Sequence, residues 1–342
     1  MSPVEAFGLV VLAAGLVGLA AVLSNRVSER LRIPAPAIFL VCAAVASDLA
    51  PRLGRLRVET VEQVVTVALA LILFNGGMHI GWRKLRPVAA ATLWLGVAGT
   101  LVTAAALALA AHLLFGLEWR AALLLGTALS PTDPAVVFSV LGRREVAGRT
   151  GVLLEGESGA NDPVGIALLL ALLGTSGTGA SMVGVVAGQF ALQMLVGLAV
   201  GVAGGRLLGW LMRRAPLPSE GLYPLRVLAG PLVIYGAASA AHGSGFLAVF
   251  VAGILIGDLR APYKREIQRF HAALASQAEI VAFVLLGLTI HLAELTNQDA
   301  WLIGLLLGVL LVVVIRPPAG GPAVVAGASA ATARPASAAS SG

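Results

Sequence analysis

Apolar segments long enough to cross a membrane follow one another along almost the whole chain. A helix needs about 20 apolar residues to cross a bilayer core about 30 Å thick, and the 342-residue sequence offers eleven such candidates. Only 12% of the residues are charged and the mean hydropathy is +0.93, which leaves too few charges to cover a soluble protein of this size. The sequence therefore predicts an all-α polytopic protein whose surroundings are the lipid bilayer. The predicted spans are 5–24, 34–51, 58–80, 88–115, 120–141, 151–173, 181–212, 222–241, 243–259, 271–292 and 299–316.

Basic residues alternate between the two ends of these spans. One set of loops holds sixteen Lys and Arg residues and the other set holds four, namely Arg52, Arg55, Arg57 and Arg120. The positive-inside rule then predicts an outside N-terminus and a cytoplasmic C-terminal tail in the cell membrane. The first span lacks a basic region before it, so it is predicted to be a retained helix and not a cleaved signal. Because the basic residues form short clusters and no single patch, a nucleic-acid partner is not expected.

Two acidic motifs interrupt the apolar pattern, Ser130-Pro131-Thr132-Asp133-Pro134 and Glu155-Gly156-Glu157-Ser158-Gly159-Ala160-Asn161-Asp162-Pro163. An ionised carboxylate at the centre of a membrane helix costs at least ~2.5–3.5 kcal/mol, so such residues indicate a functional site. Counting ~1.5 Å per residue from the basic loops places Asp133 and Asp162 near the bilayer midplane. The two prolines predict a broken helix at Pro131–Pro134, of the kind that secondary transporters use to bind cations.

The second motif supplies oxygen atoms on one helix face. Ser158 and Asp162 are four residues apart and share that face, while Glu157 and Asn161 form a neighbouring pair with the same spacing. A hard monovalent cation needs oxygen ligands of this kind. Glu155 falls near the Asp162 face about two turns closer to the cytoplasm, which suits an acid in the vestibule better than a ligand.

Together, the Thr-Asp-Pro break and the Glu-Ser-x-x-Asn-Asp helix resemble the NhaP-type monovalent cation/proton antiporters, over roughly residues 5–316. The resemblance implies a thirteen-helix inverted-repeat fold, a homodimer, and exchange of Na+ or K+ for H+. It also implies that Asp162 alternates between proton and cation. Ser158, Thr132 and Asp133 would assist Asp162, and Asn161 and Glu157 would brace the site.

One exchanging carboxylate has a simple consequence for stoichiometry. If proton and cation compete for the single charge of Asp162, exchange is one-for-one and electroneutral, and Asn161 in place of a second Asp agrees with this. The sequence does not choose between Na+ and K+. No cofactor is predicted, and no metal beyond the transported cation. The single cysteine, Cys42, and five scattered histidines form no metal-ligand spacing.

The chain departs from the family pattern in two places. Relatives commonly carry a carboxylate where this chain has Asn75, which leaves a carbonyl oxygen as the possible ligand. After Arg316 the expected second broken helix is replaced by a low-complexity segment, 317–342, that reads as a disordered tail. The predicted organisation is a transmembrane exchanger domain over 1–316 and this tail. The domain divides into a first repeat at 1–173, a linker helix at 181–212 and an incomplete second repeat at 222–316.

Two other functional classes are alternatives to an antiporter. An incomplete second repeat would leave a non-transporting or leaky membrane protein with little or no coupled exchange. An intramembrane protease would need a Gly-x-Gly-Asp or His-Glu-x-x-His motif, and neither occurs in the chain. An enzyme is therefore not expected.

Two further features are interpreted as structural. Gly197, Gly201, Gly205 and Gly209 recur every four residues and predict close approach of a neighbouring helix. Asp258 lies near the end of a span, where a solvated acid is ordinary.

Overall fold

The computed structural model describes residues 33–50, 56–132, 149–175, 180–292 and 300–315, with five single positions between 8 and 19. Every regular element in these ranges is helical, which confirms the predicted all-α class. The helices are α1 (Ala35–Leu49), α2 (Val58–Leu85), α3 (Ala89–Leu93), α4 (Thr100–Phe115), α5 (Trp119–Leu129), α6 (Arg149–Leu173), α7 (Ala180–Arg214), α8 (Leu222–Ala240), α9 (Gly245–Gly257), α10 (Lys264–Leu288) and α11 (Ala300–Leu310). A 3-10 turn (Arg86–Val88) precedes α3, and π-helical turns follow α3 (Trp94–Gly99) and α11 (Leu311–Ile315).

Each described helix lies within or across a predicted span. The largest difference is α10, which begins at Lys264 and not near residue 271. Its first turns carry Arg265, Glu266 and Arg269. Hydropathy does not predict these turns, because they are polar and suit the interface between membrane and water. Most of the first span lies outside the described residues, as do 133–148, so the full helix count stays a prediction.

Four helical stretches in the described residues are long and apolar enough to cross a membrane: Val58–Phe115, Ser181–Arg214, Leu222–Ala240 and Lys264–Leu288. The first contains 58 residues, enough for two crossings of about 20 residues each. Shorter apolar helices accompany them at Ala35–Leu49, Trp119–Leu129, Gly245–Gly257 and Trp301–Val313. This pattern is that of a multi-pass membrane protein.

Helix α9 lies at the centre of the packed bundle. It is apolar on all sides, and its buried residues include Ala248, Val249 and Ala252, each 0% exposed. A Cβ on Gly201 of α7 would lie 2.6 Å from the carbonyl oxygen of Ala248, and one on Gly205 would lie 2.9 Å from Cα of Ala252. Gly201 and Gly205 therefore let α9 approach α7 to backbone contact, as the spacing of the four recurring glycines predicts.

The opposite side of α9 packs as closely on α2. Gly253 lies against the carbonyl oxygen of Phe74, and a Cβ on Gly257 would meet Cα of Gly81 at 2.7 Å. Gly81 itself has φ of 66°, a left-handed conformation that favours glycine and kinks α2. The backbone N–H of Arg83 then donates to Oδ2 of Asp258 at 2.6 Å. Asp258 thus caps the helix where it resumes, which fits its structural interpretation.

The π-helical turn after α3 places the helix backbone against α6. A Cβ on Gly96 would lie 2.7 Å from Cβ of Ala160 and 3.4 Å from the carbonyl oxygen of Glu157. The Thr100 hydroxyl donates to the Gly96 carbonyl oxygen at 2.7 Å, which satisfies a carbonyl within the irregular turn. The segment is therefore fitted closely to the helix that carries the second acidic motif.

Candidate functional site

Helix α5 ends where the first acidic motif begins. Its last residue is Leu129, and Pro131 has no amide hydrogen to donate to the carbonyl oxygen of Thr127, four residues earlier. The Ser130 side chain takes that place, donating from Oγ to the Thr127 carbonyl oxygen at 2.9 Å. The chain therefore leaves the helix at Pro131 with the Thr127 carbonyl oxygen still accepting a hydrogen bond. The far side of the predicted break lies outside the described residues.

Two polar side chains of α6 hold the residue that follows this proline. Ser158 donates from Oγ to the carbonyl oxygen of Thr132 at 2.8 Å. Asn161 donates from Nδ2 to the same carbonyl oxygen at 3.3 Å and to the Thr132 hydroxyl at 3.1 Å. These bonds bring the two acidic motifs together, although 26 residues separate Ser158 from Thr132 along the chain.

A glycine makes the approach of the two segments possible. A Cβ on Gly165 would lie 2.5 Å from Cγ of Pro131, well inside ordinary van der Waals distance. The missing side chain lets Pro131 lie directly on α6, one turn beyond Asn161. This contact is part of the site that the motif residues alone did not predict.

Asn161 also leaves one oxygen atom unused. The residue is 1% exposed, and its Oδ1 has no hydrogen-bond partner among the residues that the structure describes. The amide orientation is fixed chemically, because the Thr132 carbonyl oxygen can only accept and must therefore face Nδ2. A buried carbonyl oxygen without a donor is costly for an apolar interior, and it is a suitable ligand for a cation.

Asp162 lies half-buried on α6, next to the side chains that hold Thr132. Its spacing from Ser158 puts its carboxylate on the side of α6 that faces the end of α5. Glu157 is half-buried one turn before Asn161. Pro163 follows Asp162 inside the helix, and the helix continues through it to Leu173.

The structure describes six of the seven predicted site residues. It joins Thr132 to Ser158 and Asn161, with Asp162 and Glu157 on the same helix as these partners. Asn75 lies half-buried in α2, whose neighbours include α6. Asp133 lies outside the described residues, so its place in the site remains a prediction.

Comparison with known proteins assigns the sequence to a family. Residues 16–329 match the family described as sodium/hydrogen exchanger, transmembrane. The match extends past Arg316 into the segment predicted to be a tail. The chain belongs to this family of transmembrane exchangers, and it is similar to antiporters of the NhaP type.

Individual relatives show the extent of the likeness. The K(+)/H(+) antiporter NhaP of Alkalimonas amylolytica is 34% identical over 299 residues, which is 86% of this chain and 52% of that protein. The K(+)/H(+) antiporter NhaP2 of Shewanella sp. strain MR-4 is 34% identical over 298 residues, 85% of this chain and 51% of its own length. The chain thus spans about half the length of the curated relatives it matches.

A solved structure shares the fold. The sodium proton antiporter MjNhaP1 from Methanocaldococcus jannaschii superposes with a TM-score of 0.75 at 22% sequence identity. The superposition covers 92% of this chain and 79% of MjNhaP1. At this identity the likeness establishes the fold alone.

Proposed function

We propose that the protein exchanges a monovalent cation, Na+ or K+, for H+ across the cell membrane by alternating access. The observation that carries this proposal is the hydrogen bonding of Thr132 by Ser158 and Asn161. These bonds hold the end of α5 beside the helix that carries Asp162, and cation transporters bind ions where helix ends and membrane acids lie together.

Asp162 is proposed to be the group that changes partner. As a carboxylate it binds the cation, and as a carboxylic acid it carries the proton back. Oxygen atoms around it would replace part of the water lost by the cation. The candidates are the Ser158 hydroxyl, the Thr132 hydroxyl, the orphaned Oδ1 of Asn161 and the carboxylate of Asp133.

The neutral side chain of Asn161 supports an electroneutral cycle. Proton and cation would each cancel the same single charge on Asp162, so only one of them can be bound at a time. Glu157 and Asn75 are proposed to support the site without exchanging ions. The relatives named above as K(+)/H(+) antiporters make K+ the first cation to test, with Na+ beside it.

The protein is further proposed to work as a homodimer with its N-terminus outside and its C-terminal segment in the cytoplasm. The orientation follows from the excess of basic residues in alternate loops, and the homodimer is what the family resemblance implies. A tag at Met1 should be reached from outside intact cells, and one in the 143–149 loop only after permeabilisation. An N-terminus that is reached only from inside would reverse the proposed orientation.

The exchange is tested by reconstitution into vesicles with an imposed pH gradient. Addition of K+ or Na+ should dissipate the gradient, and Asp162→Asn should abolish this response while the protein stays folded. Glu59→Gln is the matched control, because Glu59 is an exposed carboxylate that pairs only with Arg57 across 3.5 Å among the described residues. Normal exchange by Asp162→Asn, or no exchange by the unaltered chain with either cation, would overturn the proposal. Voltage independence of the rate checks electroneutrality.

A further inference from the structure

Four residues of α6 lie along one face of the helix. Glu155, Gly159, Asp162 and Ile166 are spaced by four, three and four residues, which keeps them on one side of a helix of 3.6 residues per turn. At ~1.5 Å per residue, Gly159 lies about 6 Å from Glu155 and about 4.5 Å from Asp162 along the axis. Gly159 therefore lies between the two acidic residues of this face.

An aromatic ring covers Gly159. A Cβ on Gly159 would lie 3.0 Å from Cδ2 of Phe250 and closer still to Cε2 and Cζ of the same ring. The ring lies directly on the bare backbone of α6, and Phe250 is only 4% exposed. Glycine is the residue that leaves room for a ring at this position. The ring of Phe250 thus covers the part of α6 that lies between Glu155 and Asp162 along the helix axis.

The ring is carried by a firmly held helix. Phe250 belongs to α9, and its carbonyl oxygen lies against Gly77 of α2. One turn earlier on α9, Phe246 lines a cavity of about 510 Å³ together with Ile166 of α6. Along the shared face of α6 the order is the cavity at Ile166, then Asp162, then the Phe250 ring at Gly159, then Glu155.

We infer that Phe250 is an occlusion residue that separates Asp162 from the water and ions that reach Glu155. A hydrated cation or a chain of water molecules needs polar partners, and an apolar constriction excludes both. The ring and the glycine beneath it close the path along this face of α6 while α6 and α9 stay together. The inference rests on the proposed exchange at Asp162, and it adds a positioning residue from a helix outside the two acidic motifs.

Cysteine accessibility tests the barrier without requiring transport. In a Cys42→Ser background, which removes the only cysteine of the chain, a thiol is introduced by Asp162→Cys or by Glu155→Cys. A charged, membrane-impermeant methanethiosulfonate reagent is applied from the side at which Glu155→Cys reacts faster. Asp162→Cys should react slowly from that side, and adding Phe250→Ala should raise its rate at least tenfold. The rate at Glu155→Cys should change less than twofold, because that position lies outside the ring.

Two companion variants separate occlusion from general loosening of the fold. Phe246→Ala removes the same side chain one turn away and should not accelerate labelling of Asp162→Cys from that side. Gly159→Ala displaces the ring without removing it and should accelerate labelling, which keeps the test available if Phe250→Ala does not fold. Equal labelling rates with and without Phe250, or equal acceleration by Phe246→Ala, would overturn the inference.

A transport measurement distinguishes this inference from the proposed function. In vesicles, Phe250→Ala should raise proton leak in the absence of Na+ and K+, and Phe250→Leu should restore most of the barrier. Absence of all exchange by the unaltered chain would refute the proposed function, yet the labelling rates would still decide the role of Phe250. An unchanged leak in Phe250→Ala, with exchange intact, would refute the occlusion role alone.

Discussion

Asn161 bonds to Thr132 at two atoms, with Nδ2 lying 3.1 Å from the Thr132 hydroxyl and 3.3 Å from the Thr132 carbonyl oxygen. The amide thereby fixes both the side chain and the backbone of the residue at which α5 has just ended. Its own Oδ1 is left buried without a donor among the described residues. The position of this oxygen is therefore determined by Thr132.

Removing the Thr132 hydroxyl should weaken cation binding. Thr132→Val keeps the shape of the side chain and the backbone carbonyl but loses one bond to Asn161, and a hydrogen bond of this kind is worth about 0.5–1.5 kcal/mol. The apparent KM for the cation should rise roughly 2- to 10-fold in vesicle exchange assays. Thr132→Ser should retain most of the affinity, and exposed Thr60→Val should have no effect. An unchanged KM in Thr132→Val would remove this hydroxyl from the site.

A methyl group at Gly165 should disturb the site by displacing Pro131. In Gly165→Ala the new Cβ would lie 2.5 Å from Cγ of Pro131, so Pro131 and the following Thr132 must move away from α6. Overpacking of this kind costs about 1–3 kcal/mol and should lower both the thermal midpoint in detergent and the exchange rate. Gly236→Ala is the control, because a Cβ there meets nothing within 4 Å. Equal midpoints for the two variants would contradict the contact.

Substitution of two glycines of α7 should have opposite effects on stability. Gly201→Ala places a methyl group 2.6 Å from the Ala248 carbonyl oxygen and should push α7 and α9 apart, which lowers the thermal midpoint. Gly188→Ala lies on the same helix in open space and should be neutral or slightly stabilising, since alanine favours a helix over glycine by up to about 1 kcal/mol. Thermal unfolding of both variants in one detergent makes the comparison. A larger loss in Gly188→Ala would contradict the packing described here.

Asp258 should contribute to stability through its cap on α2. Asp258→Ala removes the acceptor of the Arg83 N–H and should cost about 0.5–2 kcal/mol, the usual worth of such a cap. Asp258→Asn retains an acceptor oxygen and should lose less. Unfolding midpoints and vesicle exchange are measured together, because a purely structural role predicts that the KM for the cation stays unchanged. A raised KM with an unchanged midpoint would instead assign Asp258 to ion transport.

Hydropathy predicts most of the described helical segments, and the sequence assigns the two acidic motifs to one site. Hydropathy locates α7, α8 and α9 to within a few residues, because lipid requires apolar side chains over a fixed length. Hydropathy does not predict the start of α10 at Lys264, because the first turns of this helix are polar and lie beyond the apolar region. Gly81 illustrates another limit, because its left-handed conformation depends on contact with α9 and capping by Asp258.

Tertiary contacts at the site were less predictable. The spacing of Ser158 and Asp162 follows from helix geometry, and their resemblance to a family indicated Thr132 as a partner. Nothing in the local sequence identifies Phe250 as the residue above Gly159, since more than 90 positions separate them and the contact depends on how α9 is placed. The small residues of α6 were the available signal, because glycines within a buried helix often mark close approach by another element.

Helix α9 touches α7 and α2 backbone to backbone, and contacts of this kind leave little clearance for sliding. Helix α9 should therefore keep its position relative to α2 and α7. At Gly159, helix α6 contacts α9 through a side chain, the ring of Phe250. If Asp162 exchanges ions as proposed, opening it to the other side of the membrane should involve a displacement of α6 relative to α9, and not a movement of α9 relative to α2 and α7.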